Sequence, residues 1–359
     1  MQRSLTFAAL LGGVLLAHAS AHAAELTPAA RELAAAAQKE GEMVVMWSSG
    51  TLGGPKGAAQ FESAINKTFG INIKIKWTPG DSMPAVGNLI ATTAQNKQPA
   101  PTDAYIGFSR GTALMQKYDL FEKAPWKSYF PDRLNDEMVE KDIYVKVQTA
   151  TTGFSYNKAL APSVPEKMED FLKPEWKGKF ATTNVAAGFD QLAAKEAWGR
   201  DKTLSYAEKF SAAAAGFMRC NESQRLASGE FLALVMDCNG DSARNLKAKG
   251  APLERKVAPD IPLISFFYLM VPKNAAHPNL GKLFVAFSAT AEGQAIVREH
   301  TSSDVHLFPD SIMLKEIQEA EKKAGVKFAS ADIAWQETND SGNQTQTDVQ
   351  QLLIRNEKK

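Results

Sequence analysis

Apolar and polar positions alternate with two periods along this chain, short stretches of period two set between longer stretches near 3.6, and that alternation predicts β-strands and α-helices in turn. Leu26 to Lys39 (LTPAARELAAAAQK) carries Leu and Ala on one stripe, with Thr27 placed to cap it, Pro28 at its first position and Gly41 to stop it. Glu42 to Trp47 (EMVVMW) is a short buried strand that breaks into a small, hydroxyl-rich turn, Ser48 to Gly54. A helix over Pro55 to Phe69, an alternating strand over Ile71 to Trp77 and a helix over Met83 to Asn96 follow. Ala104 to Ile106 is the next strand and runs into Gly107, Phe108, Ser109, Arg110 and Gly111. Strands alternating with helices define the α/β class. Ligands of open α/β sheets bind beyond the carboxyl ends of the strands, so the turns 47–54 and 107–111 are the first candidate cleft segments.

Tyr144 to Lys158 (YVKVQTATTGFSYNK) behaves differently. Val145 and Val147 share one face, Lys146 and Gln148 the other, and a Thr-rich turn through Gly153 leads into Phe154 and Tyr156 at strand spacing. It reads as a crossing between two lobes. Beyond it lie a short helix at Asp170 to Trp176, a strand at Phe180 to Thr182, a turn at Asn184 to Gly188 and a helix over Gln191 to Trp198. Asp190 either caps that helix or leaves its first N–H groups open to an anion. Helices over Tyr206 to Phe217 and Glu222 to Ser228 precede a strand, Glu230 to Met236, which ends in Asp237, Cys238, Asn239, Gly240 and Asp241 before a helix over Ser242 to Lys249. Val257 to Pro272 is strongly apolar with proline near both ends and suits a return crossing. The remainder is helical, at Asn279 to Ser288, Ala291 to His300, Ile312 to Ala324 and Thr345 to Arg355, with a polar loop expected over Glu337 to Gln344. The expected division is residues 24–148 with 265–359 in one lobe and 149–264 in the other.

The first residues change the setting. Gln2 and Arg3 lead into the apolar run Leu5 to Ala17 and then AHASAHAA, which predicts a secretion signal spanning residues 1–23 and cleaved after Ala23. No later window approaches the ~20 apolar residues of a membrane helix. An exported protein meets an oxidising compartment, so Cys220 and Cys238 are expected to form a disulfide that staples one lobe. The 41 basic and 40 acidic residues leave a formal charge of +1, and no basic run points to nucleic acid. The mature chain has no H-E-x-x-H and no histidines spaced for zinc, which sets a secreted hydrolase last among the function classes.

Several longer segments, PEWKGKF (174–180), LASGEFLALVMD (226–237), LKAKGAPLE (246–254) and above all HPNLGKLFVAFSATAEGQAIV (277–297), resemble the family 1 extracellular solute-binding proteins of ABC importers. AAAAQKEGEMVVMWSSG (34–50) and TGFSYNKAL (152–160) are similar to the branch that includes the ferric-iron-binding proteins. The resemblance implies a type II periplasmic-binding-protein fold, in which two α/β lobes joined by two crossover strands close on a solute and present it to a membrane permease. It also implies a periplasmic, monomeric protein that does no chemistry and holds no cofactor. A periplasmic ligand sensor would share the same fold. Iron-binding members carry adjacent tyrosines in the turn where this chain has Asp237, Cys238, Asn239 and Gly240, and no Tyr-Tyr pair occurs anywhere in it. Ferric iron would be left with scattered acids such as Asp237 and Asp241, so no metal site is expected and an organic solute is favoured.

The expected pocket has apolar walls from Trp47, Phe108, Tyr156, Phe189 and Phe267, and hydrogen-bonding groups from Ser48, Ser49, Thr51, Ser109, Thr151, Thr152, Asn184 and Asn239. Arg110 would hold a carboxylate or phosphonate, or else form a surface salt bridge near a helix start. Asp190 and Asp237 would hold an amine. Both charges together would suit an organic anion or a zwitterion.

Overall fold

The computed structural model describes residues 26–357, so the expected secretion signal lies outside the described residues. The chain opens with α1 (Pro28–Glu40), β1 (Glu42–Trp47), α2 (Gly54–Phe69), β2 (Lys74–Pro79), α3 (Met83–Gln95), β3 (Tyr105–Phe108), α4 (Ser109–Met115), α5 (Trp126–Tyr129) and the short β4 (Val139–Glu140). The Thr27 hydroxyl accepts from the amide of Ala30 and Gly41 closes α1, as the local pattern predicts. β1 and β2 are parallel. A bridge from Val45 to Ala104 brings β3 alongside them.

Two strands run straight through the molecule. β5 (Tyr144–Thr151) is wholly buried, and only Thr152 separates it from β6 (Gly153–Asn157). β10 (Leu253–Val257) and β11 (Leu263–Met270) make the return. β11 pairs antiparallel with β3 and β5, whereas β10 pairs antiparallel with β6, so the same two passes build a sheet in each lobe. At the crossing Gly153 faces Val257, and a Cβ on Gly153 would stand 2.1 Å from the Lys256 carbonyl oxygen. Only glycine allows that approach.

The second lobe contains β7 (Phe180–Thr183), α6 (Phe189–Leu192), α7 (Arg200–Ala213), β8 (Gly216–Met218), α8 (Ser223–Ala227), β9 (Ala233–Val235) and α9 (Asp241–Ala248), with strand order β10-β6-β9-β7-β8. Its core is aromatic: Phe154, Phe171, Phe180 and Phe210 are fully buried, and their rings meet in pairs 4.8 to 5.6 Å apart. The first lobe buries Trp47, Phe61, Phe284 and Phe287 under α10 (Pro278–Ser288) and α11 (Ala291–Thr301). Two separate cores joined by two crossings make the two-lobed type II architecture that the sequence predicts.

Several boundaries differ. The helix expected over 191–198 is only α6 (Phe189–Leu192), after which the Trp198 amide bonds back to Leu192 and the chain turns at Gly199 (φ +75°). Phe217, expected on a helix, lies on β8 beside β7. The expected strand over 230–236 is shortened to β9, ended by Met236 at φ +60°. After α12 (Ile312–Ala324), β12 (Ala329–Ser330) and α13 (Ile333–Thr338), the loop expected at 337–344 is mostly the start of a longer helix, α14 (Asp340–Glu357). Asn339 donates to the carbonyl of Asp190 and Asn343 to that of Gln336, which fixes this start. Val349 and Leu353 of α14 are fully buried in the aromatic core of the second lobe, so the C-terminal helix packs there although residues 265–359 were expected with the first.

Candidate functional site

Between the lobes lies a cleft in two connected parts, an inner chamber of about 370 Å³ and an outer vestibule of about 770 Å³. Ser82, Met83, Cys220 and Cys238 line both. Phe108 and Phe267, ring centroids 5.1 Å apart, supply the inner wall from the first lobe. Ala150 to Gly153 of the crossing form its floor, and Gly188, Met236, Asp237, Cys238 and Asn239 approach from the second lobe. The vestibule adds Trp47, Ser48, Ser49 and Thr51 from the turn after β1, with Arg219, Asp241 and Lys249 opposite.

The segment after β9 is strained. Met236, Cys238 and Asn239 all have positive φ (60°, 53° and 75°), and Gly240 follows at 72°. Such a conformation costs about 1–3 kcal/mol at each non-glycine position and persists only where the surroundings over-determine it. Here they do. Cys238 is bonded to Cys220. The Asn239 Oδ1 accepts from the Thr151 amide at 3.1 Å, and the Asn239 carbonyl accepts from Arg244 at 2.6 Å. Arg255 donates to both carboxylate oxygens of Asp237 (3.0 and 3.2 Å), and Ser155 adds a third bond at 2.6 Å. The disulfide therefore lines the cleft as well as stapling its lobe.

The same segment is tied across the seam. Gln148 of β5 donates to Asp241 at 2.6 Å, while Arg255 reaches the Thr151 carbonyl at 2.6 Å and its hydroxyl at 2.9 Å. Arg244 pairs with Glu316 of α12. Partial removal from water raises the Asp241 carboxyl to about 6, against the pull of Arg244. Burial would raise Glu316 too, but the charge and hydrogen bonds of Arg244 hold it below the ordinary range.

Of the residues expected in the pocket, Trp47, Ser48, Ser49, Thr51, Phe108, Thr151, Thr152, Asp237, Asn239 and Phe267 do line this cleft. The other six lie elsewhere. Ser109 is buried and ties α4 to β11, donating to the Phe266 carbonyl (3.1 Å) and accepting from its amide (3.0 Å). Residues 107–111, GFSRG, spell the G-x-S-x-G of a strand-to-helix nucleophile elbow, but a serine held in this way presents no hydroxyl to a substrate. Arg110 reaches α14, where it bonds Asn343 and Thr347. Asn184 meets Glu357 of the same helix. Phe189 is a core residue, and Asp190 beside it is buried and receives Gln336 at 2.8 Å. Tyr156 sits on β6 opposite Glu254. Phe189 and Asp190 are buried in the second lobe and Ser109 in the first, whereas Arg110 of α4 is drawn to α14, the helix that docks on the second lobe.

Asp237 also lacks a free charge for an amine, since Arg255 already neutralises it. Arg255, Arg244, Glu316, Gln148 and Gln191 were not anticipated. Apart from the bonds of Arg244 to Asn239 and Asp241, their partners lie 18 to 104 residues away in the sequence, beyond any local pattern. His306 stacks on Phe266 and meets Thr149 at 3.0 Å. Burial and the nearby Lys146 depress its pKa to about 4.

A solute-binding class is what two lobes, two crossings and a seam cleft define, and the comparisons agree. The family model of bacterial extracellular solute-binding proteins matches residues 58–325, and the chain belongs to that family. Its function is the capture of a solute. Similar folds include a substrate-binding protein of an ABC transporter from Agrobacterium tumefaciens (14% identity, 88% of this chain and 94% of that one, TM-score 0.67). Iron-bound HitA from Pseudomonas aeruginosa (17%, 86% and 99%, 0.65) and AfuA from Actinobacillus pleuropneumoniae with fructose-6-phosphate bound (15%, 88% and 98%, 0.59) are further examples. No curated protein matches the chain in sequence.

Proposed function

We propose that this chain is the periplasmic solute receptor of an ABC importer, which closes its lobes on a small organic solute and delivers it to a membrane permease. The observation that carries this reading is the seam itself. Two crossing strands separated from solvent by a cleft, with one loop strained and locked at its wall, make a hinged binder. Among the described residues that line the cleft, none is arranged as a nucleophile and base pair. Iron is disfavoured chemically, because Asp237 is neutralised by Arg255, Cys238 is oxidised and Asn239 is fully engaged. With Arg110 held by α14, the cations available to an anionic solute are Arg219 and Lys249 on the vestibule wall.

A thermal-shift screen of ligand-stripped mature protein tests the reading, since a ligand at a hundred times its dissociation constant adds about 2.7 kcal/mol. A hit should then be taken up by cells in a manner that requires this protein. A shift with ferric citrate alone would overturn the organic-solute reading.

A further inference from the structure

We infer that the solute carries an apolar group of ring size, seated in the inner chamber, and a polar end that stays in the vestibule. The inference rests on the receptor reading and deepens it. Its basis is that the polar groups at the inner floor are already spent on one another. Thr152 donates to Gln191 (3.3 Å), Gln191 donates to the Ser265 hydroxyl (3.1 Å), and that hydroxyl faces the Ala150 carbonyl. Asp237 has three donors and Asn239 uses both ends of its amide.

A hydroxyl or charge brought to this floor would lose its water and find no free partner, which costs about 1–3 kcal/mol for a neutral group and more for an ion. An apolar group loses nothing there and gains about 25 cal/mol for each Å² it buries. Phe108 and Phe267 face Met83, Met236 and the disulfide across the chamber, so its walls are aromatic and sulfur surface. Exceptions among the described lining residues include Gln346 Oε1, a buried acceptor without a donor, and the Thr151 hydroxyl, which accepts from Arg255 and donates to no protein acceptor.

The vestibule is the reverse. Ser49, Arg219 and Lys249 are exposed there together with one carboxylate, Asp81, and neither cation forms an ion pair among the described residues. A carboxylate at the mouth and a ring at the floor fit the two halves together.

Titration calorimetry on the mature protein tests this with phenylacetate, 4-hydroxybenzoate and indole-3-acetate beside the ring-free citrate, glutamate, spermidine and fructose 6-phosphate. Binding of at least one ring-bearing acid is expected. Ala187→Phe, which fills the chamber from a half-buried loop position, should weaken that binding at least tenfold while the melting curve stays cooperative. Binding confined to ring-free solutes would overturn the apolar group and leave the receptor reading standing. Binding of a ring-bearing acid undiminished by Ala187→Phe would overturn the chamber as its seat. No binding across both sets would overturn the inference and count against the receptor reading as well.

Discussion

Arg244 of α9 and Glu316 of α12 form a two-point ion pair across the seam, Nε to Oε1 at 2.9 Å and Nη2 to Oε2 at 2.6 Å. Arg244 is nearly buried, whereas Glu316 keeps 36% of its side chain exposed. The pair therefore joins the lobes at the point where the strained cleft loop also receives Arg244. Replacing Arg244 with Ala leaves Glu316 only the longer contact with Arg255, Nη1 to Oε2 at 3.6 Å, and takes the nearest cation from Asp241; removal of one partner from a buried pair costs about 3–5 kcal/mol. Partial exposure of Glu316 puts the expected loss near the lower end. Chemical denaturation should show it, and small-angle scattering should show a larger population of open molecules. An unchanged scattering profile would deny the pair a role in lobe closure.

The Asp241 carboxyl, raised to about 6, gives stability an unusual pH dependence. The unfolded group titrates near 3.9. Between these values the folded state binds the proton and the unfolded state does not, so this group's contribution rises as pH falls from about 6 to about 4, by at most about 1.4 kcal/mol per pH unit. Glu316, held low, works in the opposite sense and loses its contribution only below the ordinary carboxylate range. Asp241→Asn should flatten the stability profile between pH 4 and 6. An identical slope in the variant would assign the proton elsewhere.

The disulfide closes a loop between residues 18 apart, for which the chain-entropy model gives about 3 kcal/mol. Because Cys220 and Cys238 also line the cleft, Cys220→Ser with Cys238→Ser should lower both the melting temperature and solute affinity. A loss of stability with affinity intact would confine the bond to stapling. Thiol titration of unfolded, unreduced mature protein should find no free thiol.

Arg110 offers a sharp contrast between sequence and structure. Its three hydrogen bonds all end on α14, so Arg110→Ala should cost about 1.5–3 kcal/mol of stability, the range for charged hydrogen bonds, and leave solute affinity unchanged. Calorimetry with any confirmed solute decides it. A tenfold weaker affinity in a stably folded variant would return Arg110 to the binding site.

Much of the fold is written locally. Thr27, Pro28 and Gly41 bound α1, the EMVVMW run makes β1, and the alternation of Val145 and Val147 with Lys146 and Gln148, together with the largely apolar run of 257–272, marks the crossings, because caps and burial periodicity act within a few residues. The family segments then imply two lobes and a solute cleft. The turn after β1 and the loop after β9 were also legible as cleft segments from their small, polar residues at strand ends, although the same signal at 107–111 marked residues that tie α4 to β11 and α14.

Which charges stay without a partner at the cleft was decided by the tertiary structure alone. Arg110, Asp190 and Asp237 look alike in sequence, yet α14 captures the first, Gln336 the second and Arg255 the third. Each capture joins segments brought together only when two distant passes of chain pair at the crossing, or when the C-terminal helix docks on the second lobe. Buried charges must find partners wherever folding places them. The chain's order thus determined its elements and its class, while the cleft's character, apolar at the floor and charged at the mouth, arose from which polar groups had already spent their hydrogen bonds on each other.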